Sequence, residues 1–312
     1  MASIGERIKH YFTAPLFPHV AFQMSSNYLS GISVSSPERN IKHHFISPLR
    51  ENVIQPSFNK KNVLDEVYLE ERIREGAAKL HLKKNKIACL IPESCCKIFT
   101  FSFQSLPSSR REREGIIRWQ VKKQMPVLPN DIRLSFALLE SNTHKKILVF
   151  LARASVIQEY EELFSRAGLR VRVVGTPTLS LHNLLAREKK HDVLVINIEE
   201  DYISLVVVVS GDIVLYRLKP LVLESSARLT LSQKMGYVIT EVENTINFIQ
   251  DKEKKRVGEL LIRLALADPA GEALSILREK LGVPFKGFDA FLPSELTLRE
   301  KLILAPLVGK VL

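Results

Sequence analysis

Apolar positions fall into two patterns along the chain, and the alternation between them outlines the fold. Val193–Leu218, V-L-V-I-N-I-E-E-D-Y-I-S-L-V-V-V-V-S-G-D-I-V-L-Y-R-L, reads as three consecutive β-strands, and His19–Val34 repeats that run in outline. Residues 19–58 as a whole read as short strands around Ser-Gly, Ser-Pro and Gln-Pro turns. Asp65–Lys84 then sets Leu69, Ile73, Ala77 and Leu80 on one stripe, which predicts a helix packed on a sheet. Ile87–Ile91 and Ile98–Phe103 return to strand patterning, with Phe99, Phe101 and Phe103 facing a core. Pro107-Ser108-Ser109 opens a helix that Pro126 stops, carrying Ile117, Val121 and Met125 four apart.

The rest of the chain continues the alternation. Strands are predicted at Asp131–Leu139, Lys146–Ala152 and Leu169–Val174, with a helix at Ser155–Ala167 closed by Gly168. A helix starts near Pro177, another runs through Ile239, Val242, Ile246 and Ile249, and a strand spans Leu260–Leu264. Asp268–Leu281 reads as a helix with an Asp N-cap, Pro at its first position and Gly282 past its end. Meanders interrupted by crossover helices, in two similar halves, predict a two-lobed α/β protein.

Composition narrows the classes. With 312 residues, 46% of them hydrophobic, the chain can bury a large core and divide into two domains. Its longest apolar runs, Ile203–Val209 and Leu302–Val308, fall far short of the roughly 20 residues of a membrane helix, and no signal peptide opens the chain. A cytoplasmic protein is therefore expected. Cys89, Cys95 and Cys96 lack metal or disulfide spacing and suit a reducing compartment. The net charge of +11 is spread over several helices without an RNA- or DNA-binding motif, so nucleic acid is not expected as a partner. Residues 1–16 hold a short basic amphipathic piece, which reads as a frayed extension before it reads as a membrane-surface anchor.

Glu114–Phe136, E-G-I-I-R-W-Q-V-K-K-Q-M-P-V-L-P-N-D-I-R-L-S-F, is the most specific stretch, with Trp119, Pro126 and Pro129 at its centre. Together with Ile147–Gly168, Leu281-Gly282-Val283-Pro284 and Ala305-Pro306-Leu307-Val308, it makes the chain from about Phe17 onward resemble the PilM family of type IV pilus assembly proteins. That resemblance implies an actin-like (ribonuclease H-like) two-lobed α/β fold with a small inserted α/β subdomain. The expected division is an extension at 1–16, a first lobe at 17–104 and 290–312, an insert at 105–175, and a second lobe at 176–289 with a trimmed adenine-side subdomain.

The resemblance also implies a nucleotide cleft, and the chain departs from it at each phosphate contact. Where the family reads D-I-G-S-S-S-V-K, this chain has Gln23-Met24-Ser25-Ser26-Asn27-Tyr28-Leu29-Ser30, without the magnesium-organising Asp or the Gly that admits phosphate. The second D-x-G becomes Asn197-Ile198-Glu199, whose carboxylate would repel a polyphosphate. A Gly-rich third turn falls at Arg263–Ala267, which has no Gly. The expectation is a pseudo-ATPase with no cofactor and no catalytic or metal residues, its phosphate loops degenerate at Gln23, Ser25, Ser26, Asn27, Asn197 and Glu199. Asn197 and Ser26 read individually as turn caps, and Glu199, Glu200 and Asp201 as a solvated acidic loop. His43-His44 and Cys95-Cys96 read as structural pairs without chemistry.

By resemblance, the expected role is that of an adaptor at the inner face of the cytoplasmic membrane. It would capture the cytoplasmic tail of a bitopic PilN-like protein in a groove beside the insert, with Arg118, Trp119, Lys122, Pro126 and Pro129 as candidate wall residues. A link to the motor ATPase and self-association are further expectations of the family. The alternatives are an active actin-superfamily ATPase and the cytoplasmic scaffold of a type II secretion system.

Overall fold

The structure is a computed structural model that describes residues 18–36, 38–83, 85–139, 145–188, 192–221, 229–266, 268 and 271–311. Two five-stranded sheets share one plan. In the first lobe, β1 (Val20–Met24), β2 (Tyr28–Val34) and β3 (Ile41–Pro48) form an antiparallel meander, and β4 (Lys86–Leu90) and β8 (Arg170–Gly175) extend it in parallel, in the order β3-β2-β1-β4-β8. The second lobe repeats this with β9 (Val193–Ile198), β10 (Tyr202–Val209), β11 (Asp212–Pro220), β12 (Glu259–Leu264) and β13 (Phe285–Lys286), in the order β11-β10-β9-β12-β13. Every residue of β9 and β10 is buried, because both faces of the sheet are covered. An unbroken apolar run is what such a strand requires.

Helices supply the covers. On the outer face of the first lobe lie α1 (Glu66–Lys79) and α3 (Ala154–Arg166), whose Leu69, Ile73, Tyr160 and Phe164 share a core with Phe22 and Leu29. The corresponding face of the second lobe carries α5 (Leu231–Phe248) and α6 (Glu272–Lys280). Between the lobes run α4 (Pro177–Glu188) and α7 (Leu298–Val311), whose Leu181, Leu184, Leu304 and Leu307 pack with Ala21 and Ala88 of one sheet and Val195 and Val206 of the other. Gly309 lets these two helices touch: a Cβ there would lie 1.9 Å from the Ser180 carbonyl oxygen.

Local signals set most helix ends. Asp65 and Ser109 accept N-cap hydrogen bonds at α1 and at α2 (Arg110–Gln124), and Gly168 follows α3 with a φ of +79°. Two boundaries differ from expectation. α1 stops at Lys79 and not Lys84, because His81 turns left-handed at φ +55°. α6 begins at Glu272, capped by Gly271, while the Asp268 carboxylate reaches forward to the Glu272 and Ala273 N–H groups. Pro269, expected at the first helical position, lies outside the described residues.

The insert is a three-stranded antiparallel sheet, with β5 (Cys96–Phe103), β6 (Ile132–Leu139) and β7 (Lys145–Arg153) in the order β5-β7-β6. Packed on one face, α2 buries Ile117 and Val121 against Phe101, Ile147 and Val149. The opposite face, through Ile98, Leu148 and Phe150, joins the interlobe core with Ile213, Tyr216 and Leu218 of β11. Strand pairing draws the insert differently from 105–175: β5 belongs to its sheet, whereas β8 pairs with β4 in the first lobe. Partner choice between two adjacent sheets is not encoded in a strand's own pattern. The predicted extension at 1–16 and residues 222–228, at the expected trimmed subdomain, lie outside the described residues. Among the described residues, no helix is long and apolar enough to cross a membrane.

Candidate functional site

The β1–β2 turn and the β9–β10 turn face each other across the lobe junction, so the fold brings together the residues singled out as phosphate-loop remnants. Gln23, Ser25, Asn197 and Glu199 are all buried there, with Ser26 and Asn27 half-buried at the rim. Glu199 is the hub. Its carboxylate accepts from the Tyr28 hydroxyl at 2.9 Å, Gln23 Nε2 at 3.0 Å and Ser25 Oγ at 3.2 Å, all from the other lobe. Ser26 Oγ donates to Asp201 at 3.3 Å, a further bond between the turns.

Arg263, on β12, completes the network. Its side chain is 0% exposed and pairs with Glu199 at 2.6 Å. Nη1 donates to Glu199 and to Asn197 Oδ1, its neighbour on β9, at 2.6 Å each. Nη2 donates to the Tyr28 hydroxyl at 2.8 Å and the Ile303 carbonyl at 3.3 Å, and Nε donates to the Leu302 carbonyl. The Leu302 carbonyl is available because Pro306, four residues on in α7, has no N–H to give it. A helix-interior proline thus creates an acceptor that an arginine from the neighbouring lobe fills.

Electrostatics agree with the geometry. Burial works against the charge of Arg263, but Tyr28 and Glu199 outweigh it and push its pKa up. Burial likewise pushes the Tyr28 phenol well up, so its proton stays on and is donated to Glu199. Asp201 behaves differently: burial, with Glu199 alongside, pushes its carboxyl up to about 7. Because an unfolded Asp titrates near 4, the native state holds a proton that the unfolded chain has lost, and stability falls as pH rises from about 4 to about 7. Asp201→Asn is therefore expected to match the parent at pH 4 and to be more stable at pH 8, by on the order of 1 kcal/mol, in parallel urea titrations.

Three expectations change here. Asn197 and Ser26 are not simple turn caps: Asn197 lies on a buried strand and accepts from Arg263, and Ser26 bonds across the junction. The Glu199-Glu200-Asp201 loop is only partly solvated: Glu199 is buried, while half-buried Glu200 is paired with Lys234, which also donates to the Glu200 carbonyl at 2.8 Å. Arg263 belongs to the site although no motif marks it. Its signal is a lone charge in the apolar run Leu260-Leu261-Ile262-Arg263-Leu264-Ala265.

The facing hairpins are joined through a buried carboxylate and guanidinium that satisfy each other. A second interlobe contact lies beside it: buried Glu93, after β4, accepts the Thr178 N–H at the start of α4 at 2.7 Å, and burial raises its pKa.

The candidate partner residues lie elsewhere, on the insert. Arg118, Trp119, Lys122 and Pro126 are exposed and Pro129 is half-buried. Trp119 is 58% exposed with Lys123 Nζ 3.5 Å from its ring centre, and Val127 next to Pro126 is 88% exposed. Arg118 pairs with Glu114 one turn away. A separate cavity of about 390 Å³ lies between the insert and the first lobe, lined by Asn59, Lys60, Arg153, Gln158 and Glu159 among others. Among the described residues, no group of three His, Cys, Asp or Glu side chains could hold a metal. His44 instead bonds Glu300 at 2.9 Å, and His43 packs edge-on to His81. Cys89, Cys95 and Cys96 are buried free thiols.

No protein-family model matches the chain, and no curated protein matches it. Solved structures do. The chain is similar to the PilM-PilN type IV pilus biogenesis complex, with a TM-score of 0.73 at 17% identity over 95% of this chain and 97% of that one. It is similar, too, to a Bacteroides thetaiotaomicron protein with an actin-like ATPase fold and unknown function, with a TM-score of 0.55 at 11% identity over 92% and 95% of the two chains. Ethanolamine utilization protein EutJ from Carboxydothermus hydrogenoformans has a TM-score of 0.50 at 12% identity over 95% and 90%. The chain has the actin-like fold, in a form like that of PilM.

Proposed function

We propose that the chain is a cytoplasmic actin-like adaptor of a type IV pilus or related inner-membrane assembly, binding the cytoplasmic tail of a PilN-like bitopic protein without nucleotide hydrolysis. The observation that carries the reading is the buried Glu199–Arg263 pair at the lobe junction of a PilM-like fold. An ATPase needs room and attraction for phosphates between its hairpins; here a carboxylate projects there and the guanidinium is saturated. Calorimetric titration with MgATP is expected to give no heat of binding, and a micromolar affinity would restore the ATPase alternative.

The insert is the proposed docking element. β6 is one of the two end strands of its sheet, so an extended tail can add along it, with apolar side chains settling near Trp119 and Val127. The basic side chains of α2, among them Arg110, Arg111, Lys122 and Lys123, suit work beside anionic lipid. An immobilised tail peptide of the PilN-like protein should retain the parent chain, and Trp119→Ala should weaken retention by about tenfold or more, as loss of an aromatic anchor does. Failure of the parent chain to bind the peptide would count against the adaptor reading.

A further inference from the structure

We propose that Arg263 is an internal replacement for the nucleotide: it fastens the two lobes in one closed arrangement, so that the protein lacks the opening and closing that a bound nucleotide would govern. This lock deepens the nucleotide-free reading above and rests on it.

Donor and acceptor valence is what makes the joint rigid. A guanidinium has five N–H donors in a fixed fork. All three nitrogens of Arg263 are engaged, and their acceptors come from three directions: Asn197 and Glu199 in its own lobe, Tyr28 in the other, and Leu302 and Ile303 on the helix between them. Any hinge motion that separates the hairpins must pull Tyr28, Gln23 and Ser25 from Glu199. It would also leave a buried ion pair short of partners, which is costly where water is excluded. The acceptor made by Pro306 draws α7 into the same joint, so lobes and interlobe helix move together or not at all. Lysine cannot reproduce this, since an ammonium offers three donors on a flexible stem.

Spin labels at Glu71→Cys on α1 and Glu279→Cys on α6, both exposed, report the distance between lobes. The native thiols are buried and that of Cys95 is pushed up to about 12 by burial, so they stay unlabelled. The full chain should give one narrow distance distribution that MgATP leaves unchanged. Arg263→Lys should broaden it and speed amide exchange at the β1–β2 and β9–β10 turns about tenfold. A broad distribution in the parent, or an Arg263→Lys distribution identical to it, overturns the lock. Should Arg263→Lys lose its native circular dichroism, Glu199→Gln with Arg263→Met, which removes both charges, is judged by the same criterion. A parent distribution that narrows with MgATP overturns instead the nucleotide-free reading beneath it.

Discussion

Gly309→Ala is expected to destabilise the protein by about 3 kcal/mol or more, seen as a lower urea midpoint with an unchanged slope. The added methyl carbon would sit 1.9 Å from the Ser180 carbonyl oxygen and 2.8 Å from its carbon. Neither is the end of a flexible side chain. Relief requires α4 and α7 to separate along a crossing that also holds the Asn183 Nδ2 bond to the Gly309 carbonyl at 3.0 Å and much of the interlobe core. Gly115 is the internal control: it lies within α2, and a Cβ there would meet nothing within 4 Å, so Gly115→Ala should stabilise by about 0.5–1 kcal/mol through helix propensity alone. Equal losses at both positions would refute the close-packing account.

The second large effect concerns the buried ion pair. Arg263→Met should cost about 3–5 kcal/mol, because Glu199 is left buried without a counter-charge. Combining it with Glu199→Gln should recover a substantial part of that loss, since neither charge then remains to be compensated. Chemical denaturation of the two single variants and the double variant gives the coupling directly. Additive losses would show that Arg263 and Glu199 act separately, against their 2.6 Å contact and shared bonds to Tyr28.

How much of this could be read in the sequence varies with the range of the interaction. Strands such as Val193–Ile198 and Tyr202–Val209 announce themselves, because burial on both faces leaves only apolar side chains along most of their length. The position of the junction was legible too, since Gln23, Ser25, Asn197 and Glu199 fall at matched points of two similar hairpins. What those residues do there was not. The role of Glu199 depends on Arg263, 64 residues away, and on Tyr28, 171 residues away, and no local spacing encodes such meetings. The Arg263 bond to Leu302 shows the limit well: a proline predicts a freed carbonyl, but which donor reaches it is decided by tertiary packing. Trp119 illustrates the reverse case, where helical spacing alone leaves an aromatic residue equally suited to core and surface.

The insert's second apolar face has a consequence for engineering. Since Ile98, Leu148 and Phe150 share a core with Ile213, Tyr216 and Leu218, the subdomain is not a detachable cassette. Excising it would bare an oily patch on β11, and transplanting one from a relative would need matching side chains on that strand, so specificity in this scaffold has to evolve on both sides of that seam at once.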